Sequence, residues 1–212
     1  MNNNIICVYN WRKGVIMKLN ELLQDLEEKN QAQHEYSLVE IRKISNNILS
    51  ISTNYTGRCA TPIVKIAKQF GIKTYKESLN ESGDININGE TEKKYGHDKV
   101  ILVNKEEELF HQRFVVAHEL AHYLFDFIGN EKYNDKTILF ADTYQKDKHE
   151  TIQEKRANTF AAEIMMPKEL FIEQYNKARV VDSSHIFVFT YLSRYFETSI
   201  ESIEKRIMEV SK

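Results

Sequence analysis

The sequence predicts an α+β protein in which helices dominate. Three observations carry that class. Glycine (7) and proline (2) are scarce among the 212 residues, which disfavours both disordered linkers and an all-β fold with many tight turns. Apolar residues recur at helical spacing through most of the chain, first at Leu19, Leu22, Leu23 and Leu26, an i, i+3, i+4, i+7 pattern. In the middle the period changes to two. Ile72 and Thr74, Ile85 and Ile87, and the run Val100-Ile101-Leu102-Val103 read as short strands joined by polar turns.

Composition narrows the function classes. Apolar residues make up 42% and charged residues 28%, the profile of a soluble globular chain. A net charge of −2 removes the electrostatic basis for a general nucleic-acid binder. The longest apolar run, Ile186 to Leu192, is broken by Thr190 and is too short to cross a bilayer, so no membrane association is expected. The first residues show no basic segment followed by an apolar core, so no secretory signal is expected. Cys7 and Cys59 do not make a disulfide framework and point to a reducing, cytoplasmic setting, with Cys59 an unpaired buried thiol.

The elements follow in order. Lys13 to Met17 could be encoded by a ribosome-binding sequence running into a start codon. Residues 1–16 are therefore expected to be a misassigned start or disordered. Residues 17–60 should form N-terminal helices, the second over about Tyr36–Ile51 with Leu38, Ile41, Ile44 and Ile48 on one side. Thr61-Pro62 should start another, with Thr61 as its cap and Gly71 at its end. After the strands, the helical period returns from Glu106 to Phe125 and again from Thr151 to Met166, where Pro167 stops it. Residues 61–170 thus read as the core. Residues 171–212 read as a helical subdomain packed on it, with Ile200–Val210 the clearest helix.

The chemistry resides in His118-Glu119-Leu120-Ala121-His122. Two histidines four apart on a helix are separated by about 40° around the axis and roughly one turn along it. Both rings can bind one metal ion, with the intervening Glu119 beside the open position. Leu109, Val116, Ala117, Leu120 and Leu124 fall on the opposite face and should be buried. His111 lies about 10 Å down the axis and cannot share the ion. Arg113, on the apolar side, should pair with a carboxylate. A third ligand could come from His149, Glu150, Glu154, Glu163 or His185. Glu154 has the best surroundings, on a helix whose Ala157 and Ala161 permit close approach. Asn158, one turn later, could fix the tautomer of a ligand histidine. Tyr123 points about 100° away from His122, which argues against a catalytic role.

The segment Arg113 to His122, RFVVAHELAH, resembles the RF-T-L-AHELGH core of the ImmA/IrrE metallopeptidase family, with Ala121 in place of the usual Gly. Glu154 to Pro167, EKRANTFAAEIMMP, resembles that family's second block almost residue for residue. The likeness covers roughly residues 60 to 210. It implies that Glu154 is the third ligand, gluzincin-like, completing a one-zinc site with His118 and His122. It implies a zincin-like fold: a small twisted antiparallel sheet, the active-site helix, then a helical half.

The implied activity is a zinc endopeptidase with Glu119 as general base. Val100, Ile101, Leu102, Val103 and Asn104 could offer a free strand edge to an extended substrate. The implied partner is a helix-turn-helix repressor, in mobile-element or stress regulation. The alternative is a zinc module that antagonises a repressor or a toxin by contact alone. Direct DNA binding by the tail is disfavoured, because Phe171 to Lys212 holds six Lys/Arg against six Asp/Glu.

Overall fold

The order of elements places a small sheet between helices. The computed structural model describes residues 2–52, 60–78, 99–130, 138–141 and 151–211, with side chains described outside 2–13 and 138–141. Helices α1 (Asn2–Gln31), α2 (Leu38–Ile51) and α3 (Ile63–Gln69) precede strands β1 (Ile72–Glu77) and β2 (Lys99–Asn104). Helix α4 (Leu109–His122) runs directly into a π-helical turn at Tyr123–Phe127. Strand β3 (Ile138–Ala141) and helices α5 (Ile152–Met165), α6 (Lys168–Val181), α7 (His185–Phe196) and α8 (Ile200–Val210) complete the order. Helix α1 includes residues 2–16, the segment expected to be a misassigned start or disordered. The strand expected at Ile85 and Ile87, together with Cys59, lies outside the described residues.

Hydroxyl caps set several helix starts by accepting an otherwise unpaired backbone N–H. Ser37 accepts from Glu40 in a capping box, Thr151 from Glu154, Ser184 from Phe187 and Ser199 from Ser202. Thr61 departs from its expected role. It does not cap α3, whose cap position is Pro62. Its buried hydroxyl instead donates to the Ile164 carbonyl at 2.8 Å, tying the start of α3 to α5. Gly71 ends α3 with φ at +75°, a conformation open to glycine at little cost.

The sheet corrects the expectation of antiparallel strands. Its order is β1-β2-β3, and both pairings are parallel. The physical reason lies in the connection. Helix α4 stands between β2 and β3 and returns the chain to the same end of the sheet, a crossover that makes the strands parallel. β2 is therefore central, paired with β1 along its length and with β3 from Lys99 to Leu102. Val100, Ile101 and Leu102 accordingly have no free edge to give a substrate. Val103 and Asn104 remain paired to β1, and the Asn104 carbonyl accepts from Gln112 Nε2 at 3.2 Å. Val100, Ile101, Leu102 and Val103 are all buried, the pattern of a strand covered on both faces.

The core is a single cluster that includes Leu26 of α1, Ile48 of α2, Ile101 of β2, Leu120 of α4, Phe160 of α5 and Phe196 of α7. Val116, Ala117, Leu120 and Leu124 are buried as expected, but Leu109 is 58% exposed at the first position of α4. Leu38 is likewise exposed at the start of α2. Charge pairs join the tail to this core. Arg113 donates to the Thr61 carbonyl and pairs with Glu197 at 3.2 Å, the carboxylate partner anticipated for it. Glu163 of α5 is buried between Arg206 of α8 and Arg42 of α2, at 2.9 and 3.0 Å.

Candidate metal centre

Helix α4 buries its apolar back and presents His118 and His122 on its front. Their Nε2 atoms stand 3.1 Å apart. Glu154, in the first turn of α5, brings one carboxylate oxygen to 3.1 Å from His118 Nε2 and the other to 3.4 Å from His122 Nε2. The three groups offer ligand atoms that all lie within 4.8 Å of one another. Ligands about 2.0–2.1 Å from a tetrahedral ion are separated by roughly 3.3 Å, so the His118–His122 and His118–Glu154 spacings match edges of such a site.

Both rings are held from behind. His118 Nδ1 is 3.0 Å from Asn158 Oδ1, and His122 Nδ1 is 2.9 Å from Asp126 Oδ2. An amide or carboxylate oxygen only accepts, so each Nδ1 bonds through its proton and leaves Nε2 as the nitrogen that could hold a metal. This is the protonation state a metal ligand requires. Burial by itself would lower the His122 pKa. The Asp126 hydrogen bond and the Glu119 and Glu154 charges outweigh it and leave the pKa raised in the metal-free protein. Glu119 is 6% exposed on the same helix, between the two ligands in sequence.

The remaining sequence candidates separate cleanly. Glu163 is consumed by its two arginines, and His185 stacks on Phe189 at the start of α7 with 5.7 Å between ring centroids. His111 is half-buried and outside the ligand group. The Tyr123 hydroxyl accepts from Lys99 Nζ at 2.7 Å, so it is held by β2. His149 and Glu150 lie outside the described residues.

Sequence reasoning missed Asp126 and its partner Arg156. The signal was present. Asp126 continues the four-residue spacing that links His118 to His122, and a carboxylate behind a ligand histidine is a recurrent arrangement. Nothing comparable marked Arg156, whose role depends on how α5 packs.

The IrrE N-terminal-like domain matches residues 67–208. The chain belongs to the ImmA/IrrE metallopeptidase family. One relative is Metallopeptidase ImmA of Bacillus subtilis (strain 168), 28% identical over 120 residues, which are 52% of this chain and 65% of that protein. The chain thus spans a little under two thirds of that relative's length. Family membership implies a metal cofactor, and His118, His122 and Glu154 have the donor set to hold one. In this ImmA/IrrE protein, α1 and α2 lie outside the matched segment. No described helix is long and apolar enough to cross a membrane.

Proposed function

We propose that this ImmA/IrrE family member is a zinc-dependent endopeptidase with a zincin-like core, acting in the cytoplasm on one specific protein. The supporting observation is the convergence of His118 Nε2, His122 Nε2 and a Glu154 carboxylate oxygen, with Glu119 buried between the histidines. Two imidazoles and one carboxylate are the donor set of catalytic zinc sites that keep a position open. When bound, zinc supplies Lewis acidity that polarises a peptide carbonyl and lowers the pKa of water. Glu119 accepts the proton of the attacking water at a carboxylate oxygen and delivers it to the leaving amine nitrogen. Asn158 and Asp126 keep both ligand rings in the tautomer that faces the ion.

The substrate proposed is a helix-turn-helix repressor, the partner implied by the family resemblance. The experiment has two stages. Metal analysis of protein purified without added metal should find about one zinc per chain, largely lost in Glu154→Ala. Co-incubation with a repressor encoded nearby should then shorten its intact mass with wild type and leave it whole with Glu119→Gln, which retains zinc. Zinc present with no mass change in either sample would move the reading to a zinc module acting by contact. Cleavage by Glu119→Gln at the wild-type rate would overturn the proton role.

A further inference from the structure

We infer that the N-terminal helical pair is a working part of the metal centre: residues of α1 and of the α1–α2 connection position His122 through Arg156 and Asp126. The inference rests on the zinc reading above and goes beyond the family match, which begins at residue 67. Seven contacts carry it. Asn30, near the end of α1, donates through Nδ2 to the Leu124 carbonyl at 2.9 Å and to the Ile128 carbonyl at 3.0 Å. Those carbonyls belong to the π-helical turn and to the residue that caps it, where the chain leaves the helix and carbonyls lack intrahelical partners. Tyr36 donates its hydroxyl to Asn30 Oδ1 at 2.7 Å, which fixes which way the amide points. The Tyr36 ring packs edge-on against Phe125 with centroids 4.7 Å apart. The Arg156 guanidinium lies over both rings, 5.7 Å from the first centroid and 5.4 Å from the second, and bonds Asp126.

The chain of contacts has a mechanical meaning. Asp126 bonds His122 Nδ1 from within the π turn, and Asn30 ties down two backbone acceptors in and just after that turn. Asp126 also needs a fixed counter-charge, and the aromatic pair holds Arg156 in place through cation–π attraction. Loss of the outer contacts frees the Asp126 carboxylate, and His122 then explores ring orientations that do not face the ion. Asp126, Arg156, Tyr36 and Asn30 are positioning residues, since none of them enters the ligand set.

The test is zinc affinity, measured on the full chain by competition with a chromophoric chelator, alongside thermal melts. Asp126→Asn should weaken zinc binding about tenfold or more, the usual effect of removing such a support. Tyr36→Leu, remote from the ion, should weaken it roughly threefold or more. In a double-mutant cycle, Tyr36→Leu combined with Asp126→Asn should cost less than the two changes taken separately. Ser193→Ala, which removes a hydroxyl bond to Thr198 in the tail, serves as the control. It should lower the melting temperature without moving zinc affinity. Cobalt substitution adds a spectroscopic readout: the visible bands of Co2+ should shift in Asp126→Asn and Tyr36→Leu and not in Ser193→Ala. Should Asp126→Asn fail to fold, Tyr36→Leu and the cobalt spectrum decide alone. Wild type that binds zinc while Tyr36→Leu binds it equally well, with an unchanged cobalt spectrum, overturns the inference and leaves the zinc reading intact. Wild type that binds neither ion overturns the zinc reading and the inference with it.

Discussion

Gly129 sits directly against the backbone of Glu27: a Cβ built on the glycine would stand 2.9 Å from the Glu27 carbonyl oxygen. Gly129 also holds φ at +75°, as does Gly71, but a Cβ on Gly71 would meet nothing within 4 Å. The pair separates two costs that usually occur together. Gly71→Ala should lose about 1–2 kcal/mol from backbone conformation alone. Gly129→Ala adds a steric clash with α1 and should lose distinctly more. Urea unfolding of both variants checks this, and equal midpoints would contradict the close approach of α1.

Glu163 and Arg206 are 1% and 2% exposed, so their charges are matched almost entirely inside the protein. Arg206 also donates to the Met166 carbonyl through Nε and Nη2 at 3.1 and 2.9 Å. Arg206→Met leaves a buried carboxylate with only Arg42, and should destabilise the fold by about 3–5 kcal/mol. Arg42, itself 24% exposed, should matter less. The measurement is the denaturant midpoint of each single variant.

The same carboxylate gives a pH dependence with a definite sign. Burial pushes the Glu163 pKa up, but hydrogen bonds from Arg206 and Arg42 more than reverse this and leave it below 4.5. A folded-state pKa lower than the unfolded one stabilises the protein above the unfolded value. That contribution fades as pH falls from about 4.5 through the folded pKa. The stability advantage of wild type over Glu163→Gln should therefore be full at neutral pH and shrink on acidification below about 4.5. Paired melts across pH 7 to 3 report the difference, and a gap that widens in acid would reverse the assignment.

Zinc removal should lower stability by mass action. At a free ion concentration one hundred times the dissociation constant, binding adds about 2.7 kcal/mol. For a chain of this size that is roughly 5–10 °C of melting temperature. Chelation should remove this increment from wild type and leave Glu154→Ala unmoved. A wild-type melt indifferent to chelator would deny a bound metal any part in the fold.

Much of this was legible in the residues, and the misses have physical causes. Helix faces were readable because burial follows a fixed period, so Ile41, Ile44 and Ile48 fell where expected. Leu38 and Leu109 escaped the pattern because the first turn of a helix stands clear of the core. The His118–His122 pair was visible because spacing on one helix is a local property, whereas Glu154, on α5, was one of five candidates until the family resemblance favoured it. Strand direction was not local. The unbroken run Val100 to Val103 did carry a clue, since continuous rather than alternating apolar residues mark a strand covered on both faces. Thr61 looked like a cap from its neighbours, and its bond to Ile164 depends on packing that only the folded chain supplies. Arg156 is the extreme case: its partners come from the α1–α2 connection and the π turn, and no short window of sequence contains them.

The buried pair that joins α5 to α8 also orders events in time. Arg42 is synthesised first, Glu163 later, and Arg206 follows Glu163 by 43 residues. While a ribosome is still making α6 and α7, the helix that carries Glu154 holds a carboxylate facing an unfinished interior. Such a nascent fragment already contains His118, His122 and Glu154, yet its Glu163 still lacks Arg206. The charge that completes the surroundings of Glu163 thus arrives with the last helix to be made, so α5 gains its final buried partner only at the end of synthesis.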